Sequence, residues 1–422
     1  MRPWSSPQIP AISLSSPGVR AHDSATDRVV DVGHGDRASL YVCGITPYDS
    51  THLGHANTYV TFDLLVRAWR AAGVEVTYTQ NVTDIDDPLL ERALATGVDW
   101  ADLAADQVEL FRSDMEALRV IAPSHFVGAV ESIPDVVRAV ERMLADGTAY
   151  RVGPDASGEG DGDVYADLSK DSRYGTVHLE PAASDEASRI AMFAEKGGDP
   201  QRVGKRAPLD PLLWRTAREG EPSWDGDHLG RGRPGWHIEC ATIAAMTLGA
   251  PLSVQGGGAD LRFPHHEMSE SHLRVISNTP KAVAVSVHSG LVGFEGHKMS
   301  KSRGNLVLVS ALRAKGVDPM AIRLVILAHH YTSTWEYTER DLAVALDRLA
   351  TWRAALALPS APSSDEVVAG IRAALAENLD APAALALIDA WAEQAVAEQA
   401  ETVSESSDEL RSVIDALLGV QL

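Results

Sequence analysis

Three short stretches hold residue types that could do chemistry. His52-Leu53-Gly54-His55 sets two imidazoles about a glycine, a pattern able to donate to a phosphate that approaches the backbone closely. Lys298-Met299-Ser300-Lys301-Ser302 places two lysines three apart amid small residues. The whole chain has seven lysines, so this pair concentrates a scarce charge and suits a loop that neutralises a triphosphate as it shifts during reaction. Cys43 and Cys240 are the two cysteines. Lying far apart in a chain too large to need disulfide staples, they are either buried apolar residues or have a chemical task.

The elements that must place these residues follow from periodicity and turn signals. ASLYVCGI at 38–45 reads as a short buried strand, and the polar turn TPYDSTHLGH leads into a helical pattern closing at Gly73. VEVTYTQN predicts the next strand. Strand, turn, helix and strand at this spacing form a βαβ unit, which predicts a parallel sheet with ligands at the carboxyl ends of its strands. Helical patterns follow at about 99–118 and 132–146. Residues 151–235, with GPDASGEGDGD, EPAASDEAS and several prolines, predict a loop-rich insertion. A helix at 236–248, a strand PLSVQ, a glycine run and a strand AVAVSVH then read as the second half of the same sheet. From about residue 310 the pattern is helical, with SSDE at 363–366 and 406–409 opening the later helices. The expected divisions are 1–125, an N-terminal segment and first half of the catalytic domain; 126–225, the insertion; 226–310, the second half; and 311–422, an acidic helical domain.

Composition narrows the function classes. At 422 residues the chain exceeds the roughly 250–300 at which single cores stop growing. Hydrophobic residues at 45% and charged residues at 23% allow a sizeable buried core. No stretch approaches the roughly 18 apolar residues of a membrane span, and the Ser/Pro-rich start lacks a signal core, so a soluble cytoplasmic protein is expected. A net charge of −22 repels phosphate backbones and disfavours broad nucleic-acid binding. The tail at 354–422 holds twelve acids against Arg372 and Arg411, too few cations for a tRNA-reading surface.

Taken together, H-x-G-H after the first strand and KMSKS after the last resemble class I aminoacyl-tRNA synthetases. YVCGITPYD around Cys43, NVTDIDD at 81–87, EKGGDP at 195–200, PGWHIEC at 234–240 and GGGADLRFPHHE at 256–267 narrow the resemblance to the cysteinyl branch. The resemblance implies an α/β fold: a class I synthetase-type Rossmann catalytic domain with a connective insertion and a C-terminal α-helical bundle. It also implies that Cys43, Cys240 and His265 hold one Zn²⁺, a donor set that leaves a fourth position for the thiolate of substrate cysteine and so excludes serine without editing. His52, His55, Lys298 and Lys301 become the catalytic residues, acting on the phosphates of ATP with its Mg²⁺. Cys43, Gly44, Ile45, Thr46, Thr58, Asn81, Val82, Thr83, Trp236, Gly258, Ala259, Asp260 and Val292 surround a cysteinyl-adenylate. Within that set Gly44 and Thr46 contact the cysteinyl group, Trp236 walls it, Gly258 and Asp260 bind ribose hydroxyls, and Val292 packs near adenine. The motif at 195–200 has no role that sequence alone explains.

Two features depart from cysteinyl-tRNA synthetases. Those enzymes carry a glutamate four residues after the zinc histidine, where this chain has Ser269. Only 120 residues follow Ser302, fewer than a helical bundle and an anticodon-binding domain need. Both features resemble the ligases of mycothiol biosynthesis. The expected activity is AMP-forming ligation of L-cysteine to the amine of 1D-myo-inositol 2-amino-2-deoxy-α-D-glucopyranoside through cysteinyl-adenylate. ATP, L-cysteine and this glucosaminyl-inositol are then the partners, with no tRNA, no membrane and a monomeric chain. A cysteinyl-tRNA synthetase would instead need a basic face built from the arginines of residues 1–353. A non-catalytic nucleotide- or cysteine-binding paralogue would be expected to lack His52, His55 or a lysine of the KMSKS stretch.

Overall fold

A computed structural model describes residues 1–422 apart from 13–17, 34, 49–50, 154–161, 177–182, 300–303, 360 and 399–405. Arg20–Asp23 (β1) and Arg28–Asp31 (β2) make an antiparallel ribbon before the chain enters Arg37–Val42 (β3). There follow Leu53–Ala71 (α1), Glu75–Val82 (β4), Asp87–Thr96 (α2), Trp100–Ala117 (α3), His125–Gly128 (β5) and Ala129–Ala145 (α4). The expected strand and long helix are present. The strand ends at Val42, so Cys43 to Ile45 form the turn above it, and α2 and β5 are elements that periodicity did not separate from their surroundings.

The stretch expected to be loop-rich folds into a second sheet. Ala149–Val152 (β6), Asp163–Ala166 (β7), Leu212–Thr216 (β8) and Gly232–Pro234 (β9) pair antiparallel in that order, with Glu186–Glu195 (α5) between β7 and β8. These strands are short and β7 is buried at every position, so no alternation of apolar and polar residues marks it in sequence.

The chain then returns through Trp236–Thr247 (α6), Leu252–Gly258 (β10), Glu267–Ser277 (α7) and Val283–Ser289 (β11). The main sheet has the order β11-β10-β3-β4-β5, every pair parallel. Strand periodicity sends Leu40 and Val42 into the core beneath α1, and Tyr41 with Cys43 into the core beneath α6 and α7. The strand order reverses between β3 and β10, and such a switch point leaves a crevice at the strand carboxyl ends.

Val292–Phe294 (β12), His297–Lys298 (β13) and Trp335–Glu336 (β14) form a small third sheet. Val309–Ala314 (α8), Pro319–Leu327 (α9), Glu339–Leu356 (α10), Asp365–Ala376 (α11), Ala381–Glu398 (α12) and Ser406–Val413 (α13) supply the helical end. It shares one core with α1 and the main sheet. Arg67 of α1 donates to the carbonyls of Asp415 and Ala416, and Arg323 of α9 to that of Leu418 at 2.6 Å. Both guanidiniums also bond Asp63, and all three side chains are fully buried. Among the described residues no helix is long and apolar enough to cross a membrane.

Candidate active site

A cavity of about 1030 Å³ opens at the carboxyl ends of β3, β4, β10 and β11. Cys43, Gly44, Ile45 and Thr46 form its wall after β3, Asn81 and Thr83 after β4, Gly258 and Asp260 after β10, and Val292 after β11. His52, His55 and Thr58 face it from the start of α1, and Trp236 and Cys240 from α6. Of the expected pocket residues, Val82 is instead packed in the apolar core and Ala259 opens the turn after β10; neither is among the cavity's walls. Lys298 lies on β13. Lys301 falls outside the described residues.

Cys43, Cys240 and His265 come from three separate elements, and their ligand atoms lie within 4.8 Å of one another, all buried. Burial, together with hydrogen bonding and charge from Cys240, pushes the Cys43 thiol well above its ordinary value. Burial and the neighbouring rings of His237, His266 and His272 push His265 well below its own, so its imidazole is neutral. His265 Nδ1 lies 3.0 Å from His237 Nδ1, while its Nε2 is buried with no hydrogen-bond partner. A neutral imidazole with an orphaned nitrogen beside two thiols is a donor set that fits a divalent ion of soft-to-borderline character. The Trp236 ring stacks on His265 at 4.2 Å and fixes its plane.

Neighbouring candidates fall outside the group whose ligand atoms come together. His266 Nδ1 lies 2.7 Å from His288 Nε2. Glu267 accepts from the Gly175 amide at 2.6 Å, and Glu270 pairs with Arg274 at 2.6 Å. Ser269 accepts from Gln255 Nε2 at 3.3 Å and donates to the His266 carbonyl at 3.4 Å.

The start of α1 is organised by a histidine in an unexpected role. His52 caps α1, its Nδ1 accepting from the amides of Gly54 at 3.1 Å and His55 at 3.4 Å. With Nδ1 an acceptor, the proton of the neutral ring sits on Nε2, which is then a donor. The His55 ring stacks on it at 3.8 Å, so both imidazoles stand at the positive end of the helix dipole. Asn81 is a brace as well as a wall: its Oδ1 accepts from Tyr41 OH and from the Gly44 amide at 2.8 Å, and its Nδ2 donates to Thr83. Gly44 is forced by this contact, because a Cβ there would lie 1.5 Å from the Asn81 carbonyl oxygen. Sequence reasoning missed His237, although it follows Trp236 directly, and also missed Asp86 and Glu239, which line the same cavity.

Comparison with known proteins accords with this geometry. The family model described as tRNA synthetases class I (C) catalytic domain matches residues 29–347. A protein of Beutenbergia cavernae named L-cysteine:1D-myo-inositol 2-amino-2-deoxy-alpha-D-glucopyranoside ligase is 65% identical over 100% of both chains. The chain belongs to this ligase family. Proteins of the same name from Sanguibacter keddieii and Micrococcus luteus are 56% and 55% identical to it, again over 100% of both chains. Among solved structures, Mycobacterium tuberculosis methionyl-tRNA synthetase in complex with methionyl-adenylate is similar to the ligase-family chain with a TM-score of 0.60 at 15% identity, covering 91% of this chain and 90% of that one. The Agrobacterium radiobacter K84 LeuRS in a ternary complex also reaches 0.60, at 12% identity, covering 92% and 84%. Both show the class I synthetase fold.

Proposed function

We propose that this ligase-family enzyme joins L-cysteine to the amine of 1D-myo-inositol 2-amino-2-deoxy-α-D-glucopyranoside in two steps. In the first, a carboxylate oxygen of cysteine displaces pyrophosphate from the α-phosphate of ATP. In the second, the amine nitrogen bonds to the acyl carbon, the bond from that carbon to the phosphate oxygen breaks, AMP departs, and the nitrogen releases a proton. The observation that carries the reading is the buried Cys43, Cys240 and His265 group opening into a cavity whose other wall is the His52–His55 end of α1. The names of its full-length relatives support the same reaction.

Cys43, Cys240 and His265 would hold Zn²⁺. A bound Zn²⁺ offers a Lewis-acid position that favours the thiolate of cysteine over the hydroxyl of serine. The chain's own groups do the rest. His52 Nε2 and His55 donate to the ATP phosphates, whose Mg²⁺ shares their charge, and Lys298 and Lys301 hold the departing pyrophosphate. Adenylation so arranged is catalysed by positioning and charge stabilisation. Gly44, Ile45 and Thr46 frame the cysteinyl group and Trp236 walls it. Thr58, Asn81 and Thr83 line the adenylate pocket, Gly258 and Asp260 meet the ribose, and Val292 meets the adenine.

The same reading treats 1–125 and 226–310 as halves of one catalytic domain, 126–225 as a connective insertion and 311–422 as a helical support. The enzyme acts as a monomer in the cytoplasm without tRNA. The test is to incubate the zinc-loaded protein with ATP, cysteine and glucosaminyl-inositol. The amide forming in step with AMP supports the reading; ADP in place of AMP, or no amide, refutes it.

A further inference from the structure

The cavity has walls that the cysteinyl-adenylate leaves unassigned. Asp86, Glu91, Arg233, Glu239 and the turn Glu195–Asp199 also line it, an acidic arm to which the adenylate reading gives no task. The arginines on this arm are already committed. Arg233 bonds Asp87 and donates through Nε to Glu221 at 3.1 Å, and Arg215 donates to Asp87 at 3.2 Å. Asp86, Glu91, Glu195 and Glu239 have no salt bridge among the described residues, although the charges of Arg233 and Arg215 reach Asp86 and that of Arg233 reaches Glu239. Glu239 is 1% exposed, and its Oε2 has no hydrogen-bond partner although the residue lines the cavity. A buried carboxyl left unpartnered beside a second carboxyl is costly as an anion unless it keeps its proton or a cation settles against it.

The far wall is built to stay in place. Asp199 accepts from Tyr165 OH and from Lys205 Nζ at 2.9 Å, and Lys205 also lies over the Tyr165 and Phe193 rings. Gly197 turns the chain at φ +84°, and Gly198 sits on the Phe193 ring where a Cβ would be 2.6 Å from ring carbons. The turn is thereby fixed by its aspartate and two glycines, while Glu195 stays exposed at the cavity.

We propose that this acidic arm is the acceptor subsite, taking a cationic, polyhydroxylated amine with its ammonium toward Asp86 and Glu239 and its ring along Glu195–Asp199. The inference rests on the ligase reading above and assigns the residues that choose its acceptor. The stretch 195–200 then has a physical task, as the wall against which the amino sugar lies. An acceptor bearing several phosphates would meet four carboxylates here, so the same arm selects against it.

The experiment measures two reactions on zinc-loaded enzyme carrying Glu195→Gln or Asp86→Asn. One is cysteine-dependent exchange between ATP and pyrophosphate; the other is AMP release with glucosaminyl-inositol. Glu195 is exposed and asparagine also caps helices, so both variants keep the fold; Asp86 caps α2 through the Asp87 amide. Loss of one charged hydrogen bond is expected to raise the KM for the amino sugar about tenfold or more. The exchange KM for cysteine stays within about twofold, the scatter of ordinary surface substitutions. An unchanged acceptor KM, or a raised KM for cysteine instead, overturns the subsite alone. No amide from the unaltered enzyme overturns the ligase reading and the subsite with it.

Discussion

The Nδ1 atoms of His237 and His265 lie 3.0 Å apart. For His265 to offer Nε2 to a metal, its Nδ1 must carry the proton and donate to His237 Nδ1, which places the proton of His237 on its own Nε2. His237 therefore sets the tautomer that the proposed metal ligand needs. His237→Ala is expected to weaken metal binding about 10- to 100-fold, read by competition with a chromogenic chelator. Cys240→Ala is expected to abolish binding and cysteine activation together. Lys298→Ala and His266→Ala are expected to keep their metal, with adenylation slowed in the first. Unchanged metal content in the Cys240 variant contradicts the site.

His52 caps α1 through Nδ1, and the proposed phosphate contact uses its other ring nitrogen. His52→Ala loses the cap of α1, costing about 1 kcal/mol of stability, and loses the phosphate donor. His52→Asn restores the cap and lacks the donor at that reach. Both variants are expected to lose about 10²–10³ in the rate of cysteine-dependent pyrophosphate exchange, while only the alanine variant melts earlier. Recovery of exchange in the asparagine variant shows that capping alone is the task of His52.

Gly44 has no room for any side chain, since an added Cβ meets the Asn81 backbone. Gly44→Ala is expected to cost about 1–3 kcal/mol and to shift both the turn carrying Cys43 and the Asn81 brace. Metal content and exchange rate should fall together, as measured on the same preparation. A stable variant that retains metal and activity disproves the close approach.

Asp63 anchors the helical end to the catalytic sheet. Burial raises its carboxyl, but Arg67, Arg323 and the Ile121 amide outweigh burial and hold it below its ordinary value. A folded-state value below the unfolded one contributes stability that is complete above about pH 4 and is lost as the pH falls through the folded value. Asp63→Asn leaves two buried guanidiniums without their counter-charge and is expected to cost about 3–5 kcal/mol. Denaturant melts should show this loss at neutral pH and a shallower fall in stability below pH 4. Equal stability at neutral pH sinks the anchoring role.

Much of the catalytic half is legible in sequence because local rules act there. Glycines follow α1 and α4, and Cys43, His52 and Gly258 fall where strands end, whereas Cys240 lies within α6 and is singled out only by the family resemblance. The insertion is not legible in this way. β7 pairs with β8 across more than forty intervening residues, and its residues are buried on both faces, so neither proximity nor alternation announces it. Arg67 and Arg323 carry charges that ordinarily stay in water, yet both are buried because Asp63 and backbone carbonyls complete their bonds. Trp4, in a stretch that composition alone does not order, packs edge-on against Phe111 and Phe126 and donates to the Val120 carbonyl at 2.7 Å. The tautomer of His52 emerges only from its two amide partners.

AMP release from zinc-loaded enzyme with ATP and cysteine, measured in parallel with two acceptors, separates an amino-sugar ligase from a tRNA-charging enzyme. Glucosaminyl-inositol is expected to support turnover and tRNA to leave the rate at its acceptor-free level. Turnover with tRNA and none with the amino sugar contradicts the account.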